Sequence, residues 1–219
     1  MADFKVIIPH IKKSEGGFSR AKTDTASQKT APYTTTAYNA NTRKIETAND
    51  WHTNKGVTWE TFSNNAKLGY VVNQATWEQM PDSVWNLIFK KIYWDKIGGD
   101  QIKNQAIANY LADWSWIAYH ATAVKNAQQV LNRLFGYKLN TDGVIGTNTI
   151  NAINSVNATE FLKALKAEQI DFYNQVVKAN PAQQANMKGW LNRVNDAYNF
   201  SAKYINVIAI SAGTILFFL

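Results

Sequence analysis

The chain contains no cysteine, which excludes disulfides as a source of stability and thiolates as a source of catalysis. Only three histidines are present, His10, His52 and His120, and no two of them have the spacing of zinc ligands. We therefore expect neither a metal ion nor a cofactor. The first residues, Met1-Ala2-Asp3-Phe4-Lys5-Val6, lack the long apolar segment and the cleavage site of a signal peptide, which predicts a protein made in the cytoplasm.

The composition is that of a folded basic protein, with 46% hydrophobic residues, 18% charged residues and a formal net charge of +7. A basic protein suits a polyanionic partner such as nucleic acid, anionic lipid or the bacterial cell wall. Lys and Arg are spread along the chain and form no basic arm, which argues against nucleic acid. A solvated surface that aids solubility would carry the same charge.

The C-terminal end is apolar, and Asn206 is the only strongly polar side chain between Tyr204 and Leu219. A helix of this length would reach about 24 Å, less than the ~30 Å hydrocarbon core of a bilayer. Residues 204–219 therefore predict a short or tilted membrane anchor, the start of a longer span, or a contact with a hydrophobic protein partner. A final helix buried in the core is the alternative.

Apolar residues at helical spacing, separated by breaks that contain glycine or proline, predict a mainly α fold. Between Arg20 and Asn54 no helical period is sustained, and the β-prone run from Tyr33 to Tyr38 indicates a long loop or a small β-hairpin region. Gly98-Gly99-Asp100 interrupts the pattern again. The predicted divisions are residues 1–97, residues 98–202 and an apolar tail of residues 203–219.

Glu15 lies where a carboxyl could act as an acid. Apolar residues at helical spacing from Phe4 to Ile11 predict a helix that ends near Glu15, and Gly16-Gly17 would stop it. Hydrolysis of a glycosidic bond needs one protonated carboxyl, kept so by burial, and a second, ionised carboxyl that attacks the sugar or activates water. A surface glutamate at a helix end, beside Lys12 and Lys13, is the alternative interpretation.

An ordered series of motifs resembles glycoside hydrolase family 108, the lysozyme-like N-acetylmuramidases of endolysins, and its associated helical peptidoglycan-binding half. The motifs that carry the resemblance are Glu15-Gly16-Gly17-Phe18-Ser19, Thr53-Asn54-Lys55-Gly56-Val57-Thr58, Pro81-Asp82-Ser83, Tyr93-Trp94-Asp95, Asp113 with Trp116, Gln128-Gln129-Val130-Leu131-Asn132 and Asp142-Gly143-Val144-Ile145-Gly146. The sequence departs from the family twice. Asn49-Asp50-Trp51-His52-Thr53 stands where the family usually has Asp-x-Gly-Gly-x-Thr, and Ile117-Ala118-Tyr119 stands where it often has Asn-x-Gly.

The resemblance implies a lysozyme-like helical fold whose long loop or β-hairpin region flanks a cleft. It implies a catalytic half over residues 1–97, a peptidoglycan-binding half over residues 98–202, and Glu15 as the general acid of a peptidoglycan hydrolase. The second carboxylate is Asp24 or Asp50, with Glu46 also within reach, or no second acid is essential. Substrate contacts are expected from Trp51, His52, Thr53, Lys55, Gly56, Thr58 and Tyr93. We expect the tryptophans on helical stretches, Trp77, Trp85, Trp114, Trp116 and Trp190, to be structural.

Two other functions fit the same motifs. A lytic transglycosylase would use one glutamate and release an anhydro sugar, and a non-catalytic wall-binding or secretion-assembly protein would keep the fold alone. A protein without a signal peptide that acts at the cell wall is expected to reach it through a bacteriophage lysis system or a contractile injection system. The apolar tail would then tether it to a membrane.

Overall fold

A computed structural model describes residues 1–15, 18–19, 35–39, 44–48, 53–210 and 214–217, with side chains for residues 1–15 and 53–206 except Gln74. The chain divides into two compact units. One consists of residues 9–89, and the other consists of residues 1–8 together with residues 90–219.

The unit of residues 9–89 contains short helices and two small antiparallel sheets. Its helices are α1 (Ile8–Ser14, whose first residue precedes the unit boundary), α2 (Trp59–Ser63), α3 (Gln74–Gln79) and α4 (Asp82–Ile88). The three-stranded sheet has the order β1 (Phe18–Ser19), β4 (Thr53–Asn54), β5 (Val57–Thr58), and the second sheet pairs β2 (Thr35–Asn39) with β3 (Lys44–Ala48). The register of that pair runs from Thr35 opposite Ala48 to Asn39 opposite Lys44, which confirms the predicted β-hairpin region.

Local sequence explains where these helices begin. Pro9 lies in the first turn of α1, where its missing N–H would have no partner within the helix. The Thr58 side chain accepts a hydrogen bond from the Thr61 N–H at the start of α2, and Asn73 does the same for Thr76 at the start of α3. The apolar faces of these helices supply fully buried side chains, namely Phe62, Trp77, Trp85 and Ile88.

The second unit is a helical bundle. Its helices are α5 (Gln105–Ala118), α6 (His120–Phe135), α7 (Thr147–Ser155), α8 (Ala158–Ala179) and α9 (Met187–Ala202), preceded by a π-helix at Phe89–Trp94. Residues 1–8 dock on this bundle: the Ala2 N–H donates to the Ile102 carbonyl at 2.9 Å, and the Asp3 N–H donates to Gln105 Oε1 at 2.8 Å. The helices lie close to where apolar periodicity predicts them. In α6 and α8 the buried positions recur every three or four residues, whereas α5 is buried on all sides from Gln105 to Ser115.

Helix α5 lies at the centre of this bundle and packs on α6, α8 and α9. Two of its buried polar side chains are bonded to neighbouring helices: Tyr110 donates to Gln169 Oε1 at 2.6 Å, and Arg193 of α9 forms an ion pair with Asp113 at 2.9 Å. Burial raises the pKa of Tyr110, and the nearby Asp113 charge raises it further. These bonds satisfy polar groups that would otherwise be costly inside a bundle.

A single residue, Tyr119, joins α5 to α6. Its backbone has φ 71° and ψ 146°, which lies in the region that favours glycine. The Ala123 N–H donates to the Tyr119 carbonyl, so this residue also begins the hydrogen bonding of α6. The joint therefore turns the chain between two long helices within one residue.

His120 makes the stability of this unit depend on pH. Burial lowers its pKa, the Lys96 charge adds to that effect, and a hydrogen bond to the Ile92 backbone opposes both. Because His120 binds a proton less tightly in the folded chain than in the unfolded chain, protonation favours the unfolded chain. The folded state therefore has its full stability above the unfolded pKa of about 6.5, and part of that stability is lost as the pH falls through the lower folded value. We expect the melting temperature to fall between about pH 7.5 and 5.5. His120→Gln should reduce that fall, and an equal fall in both proteins would contradict this origin.

The C-terminal tail differs from the helical anchor that its composition predicts. Residues Val207–Ile210 (β6) and Thr214–Phe217 (β7) pair as antiparallel strands, with Val207 opposite Phe217 and Ile210 opposite Thr214. Five of the eight strand residues are β-branched, and Gly213 lies between the strands in the sequence, so the segment has the composition of a hairpin. Among the helices of the described residues, none combines the length and apolar character needed to cross a membrane.

Candidate active site

Helix α1 carries Glu15 to the edge of the three-stranded sheet. The Glu15 N–H donates to the Lys12 carbonyl at 3.2 Å, which places it directly after the last turn of the helix, and its side chain is half-buried. Ile11, one turn earlier, is fully buried and fixes the helix in its unit. Strand β1 begins three residues after Glu15, at Phe18.

Sheet pairing brings the Glu15 motif next to the second family-like motif. Phe18 lies opposite Asn54 and Ser19 opposite Thr53, while Asn54 lies opposite Val57 in the adjoining hairpin. The hairpin turns through Lys55 and Gly56, whose φ values of 50° and 76° are those of a two-residue type I′ turn. Two motifs almost 40 residues apart thus meet in one small sheet.

Hydrogen bonds hold this hairpin in place. Asn54 is buried and its side-chain amide donates to the carbonyls of Trp77 and Glu78, at 2.6 and 2.9 Å. Lys55 Nζ donates to the Met80 carbonyl at 2.9 Å, and the Trp85 indole N–H donates to the Lys55 carbonyl at 2.9 Å. The motif is therefore bonded at several points to α3, to α4 and to the segment between them.

Two lysines and an aspartate form a charged cluster beside this hairpin. Asp82 lies 3.0 Å from Lys12 Nζ and 3.7 Å from Lys55 Nζ, and the Lys12 ammonium sits over the Trp85 ring at 4.9 Å. The hydrogen bond and charge of Lys12 lower the pKa of the exposed Asp82 carboxyl. The cluster links the helix that precedes Glu15 to the start of α4.

The predicted substrate-binding residues separate into three groups. Thr53, Lys55, Gly56 and Thr58 lie together in the hairpin, where Thr58 caps α2 and Thr53 is buried. Tyr93 lies in the π-helix of the other unit and packs on Trp116, with ring centroids 4.7 Å apart. Trp51 and His52 lie outside the described residues. So do Asp24 and Asp50, the candidates for the second carboxylate, while Glu46 belongs to β3, opposite Ala37. Of the five tryptophans predicted to be structural, Trp77, Trp85 and Trp114 are fully buried, whereas Trp116 and Trp190 are half-buried.

A second polar site lies within the helical bundle. A cavity of about 330 Å³ is lined by residues that include Lys138, Asn140, Asp142 and Asn148. Its wall is organised by the buried Gln128, whose amide donates to the Val144 carbonyl at 3.0 Å and accepts from the Gly143 N–H at 3.0 Å. An ammonium, a carboxylate and neutral amides around one cavity suit a polar peptide or sugar.

Comparison with known families identifies the protein family of the chain. The sequence model of glycosyl hydrolase 108 matches residues 8–118, just over half of the chain. The chain belongs to glycosyl hydrolase family 108. A second model, described as a predicted peptidoglycan domain, matches residues 122–195 of this family 108 enzyme. The enzyme is therefore a lysozyme-like glycoside hydrolase that acts on peptidoglycan, as its motifs predict.

A solved structure supports the fold of this family 108 enzyme. The structure of Brucella abortus SagA is similar at a TM-score of 0.67, with 22% sequence identity, and the match covers 92% of this chain and 95% of that one. The predicted mainly α, lysozyme-like fold is thus confirmed. No curated protein matches the sequence.

Sequence reasoning missed the partners that lie far apart in the chain. Nothing in the local pattern assigned Arg193 to Asp113, which is 80 positions earlier. The Lys12–Asp82 ion pair could not be predicted from local sequence either, although Asp82 belongs to one of the family-like motifs. Tyr119 carried a signal, because it stands where the family often has glycine. No group of His, Asp or Glu that could hold a metal ion occurs among the residues that the structure describes.

Proposed function

We propose that this enzyme is an N-acetylmuramidase in which Glu15 is the general acid. It would cleave the glycan strand between N-acetylmuramic acid and N-acetylglucosamine, with Glu15 giving its proton to the leaving glycosidic oxygen. The position of Glu15 carries the proposal: it lies between α1 and a strand that pairs directly with the Thr53–Thr58 motif. A rigid helix on one side and a bonded hairpin on the other would hold the acid at a fixed place.

The products of wall digestion test this proposal. Purified peptidoglycan treated with the enzyme should yield new reducing ends on muramic acid, and mass analysis should show hydrolysed termini. Anhydro termini would instead identify a lytic transglycosylase, which needs the same acid but no attacking water. Release of no glycan fragments by the intact chain would contradict catalysis and leave wall binding as the activity.

Substitution of each candidate in turn tests which residue supplies the second carboxylate. Asp24 and Asp50 remain the candidates, and we expect one of the variants Asp24→Asn and Asp50→Asn to lose about 100-fold or more in cleavage rate while the other stays near the parent rate. Each variant is the other's matched control, because both remove one negative charge from the same long segment. Parent-like rates in both would indicate that a second acid is not essential.

We propose that one half of the chain cleaves the glycan and the other half binds the cell wall. The catalytic half covers residues 1–97, and residues 98–202 hold the wall through the polar cavity around Gln128 and Asp142. The support is the match of the peptidoglycan domain to residues 122–195, together with a net charge of +7 that favours association with an anionic wall.

Delivery to the wall through a bacteriophage or a contractile injection system stays a prediction, as does an association of residues 204–219 with a membrane or hydrophobic partner. The apolar side chains of the tail support the association. Removing residues 204–219 should then move the protein from the membrane fraction to the soluble fraction of bacterial cells. Identical fractionation of the full chain and the shortened chain would contradict tethering.

A further inference from the structure

Tyr119 holds a backbone conformation that side chains avoid. Its φ of 71° and ψ of 146° lie where a Cβ atom is unfavourable, and the tight joint between α5 and α6 imposes them. Glycine would fit the same joint without strain. Strain of this kind persists where the surrounding structure enforces it, and it frequently marks a side chain with a function.

The Tyr119 side chain is largely exposed, with 57% of its surface accessible. It packs against the ring of His120 with centroids 4.0 Å apart, and His120 in turn hydrogen-bonds the backbone of Ile92. The next residue, Tyr93, packs on Trp116. Two aromatic pairs, Tyr119 with His120 and Tyr93 with Trp116, thus lie on the segments that adjoin the helix joint, and we call these four residues the aromatic patch.

The chemistry of the patch fits a sugar better than a protein. The patch consists of four aromatic side chains, beside which Ile117 is 39% exposed. Five residues are far fewer than the roughly 20–30 residues per partner of a stable protein interface. A pyranose ring presents an apolar C–H face that packs on an aromatic ring and a rim of hydroxyls that needs polar neighbours. Lys96, whose charge acts on His120, supplies such a neighbour.

We propose that Tyr119 is a carbohydrate-binding residue that stacks on a pyranose ring of the glycan strand, with the aromatic patch as its platform. The inference rests on the proposed function, because the glycan of peptidoglycan is its ligand. It gives the Tyr119 side chain a role at a position where that side chain strains the backbone.

The test distinguishes the contribution of the Tyr119 ring to binding from the effect of strain in its backbone. In the full chain with Glu15→Gln, so that bound glycan is not degraded, Tyr119 is changed to Phe, Ala or Gly. Binding is measured by co-sedimentation with purified peptidoglycan stripped of attached proteins, and folding by the melting temperature. We expect Tyr119→Phe to bind like its parent and both Tyr119→Ala and Tyr119→Gly to bind about fivefold to tenfold more weakly.

The melting temperature should follow a different order. Tyr119→Gly should melt higher than Tyr119→Ala by about 2 °C or more, since only glycine relieves the positive φ. Soluble N-acetylglucosamine oligomers should compete with the wall for the parent more effectively than for the Ala and Gly variants.

Three results would overturn the proposal. Equal binding by all four proteins would show that the ring contributes nothing. Weaker binding by Tyr119→Ala together with parent-like binding by Tyr119→Gly would show that the ring is not needed for binding, because both variants lack it. Insensitivity of the parent to the oligosaccharide would remove the sugar as ligand. If instead Glu15→Gln still released reducing ends, the acid assignment would fail, and the comparison of binding within one background would still decide the role of Tyr119.

Discussion

Glu15→Gln should lower the rate of glycan cleavage by about 1000-fold, within the ~10²–10⁴ range that general acid catalysis contributes. Glutamine keeps the size of the side chain and its hydrogen-bonding capacity but cannot release a proton to the leaving oxygen. The helix before it and the strand after it should be undisturbed, because Ile11 and the paired Phe18 hold both sides. Reducing ends released from purified peptidoglycan measure the effect.

The matched control for this experiment is Glu60→Gln. Glu60 lies in α2 of the same unit and is exposed, so the change has the same chemistry at a site outside the motif. Its cleavage rate and melting temperature should both stay close to those of the parent. Comparable rates in Glu15→Gln and the parent, at equal folded fraction, would remove Glu15 from the mechanism.

Arg193→Met is expected to have the largest effect on stability. The guanidinium of Arg193 donates from Nε and Nη2 to both carboxylate oxygens of Asp113, at 2.9 to 3.2 Å, and the Asp113 side chain is 1% exposed. Methionine removes this cation from a buried carboxylate, a change that typically costs about 3–5 kcal/mol. For a chain of this size, the loss corresponds to a melting temperature lower by about 10 °C.

Two further variants show whether burial is the cause. Lys91→Met also deletes a cation from an ion pair, with Asp95, but that pair lies at the surface, so its loss should stay below about 1 kcal/mol. Combining Arg193→Met with Asp113→Leu should restore part of the stability, because the buried carboxylate that has lost its cation is then removed as well. A melting temperature for Arg193→Met that equals that of Lys91→Met would refute the role given to this pair.

Much of the helical bundle follows from local sequence. Apolar residues recur at helical spacing in α5, α6 and α8, and Asn104 and Asn157 cap two of these helices with their side chains. The position of the candidate acid at a helix end could also be predicted, since glycines after an apolar helical face are typical of a helix end. The motif order then connected that helix end to glycoside hydrolysis.

Other features depend on contacts that no local pattern encodes. The tail from residue 207 forms paired strands, because antiparallel pairing satisfies an apolar β-branched segment that composition alone cannot distinguish from a helix. The ion pair of Asp113 and Arg193 joins two helices whose packing is set by the whole bundle. The strain at Tyr119 arises because both flanking helices run to within one residue of each other.

The path of the chain has a consequence for protein engineering. Residues 1–8 belong to the same unit as residues 90–219, so residues 9–89 are inserted into that unit as a segment of its chain. Gln105 of α5 both receives the Asp3 N–H and donates to the Asp3 carbonyl. A transplant of the bundle into another hydrolase would therefore need two pieces of polypeptide, and a single cut near residue 90 would leave out the piece that completes the hydrogen bonds of Gln105.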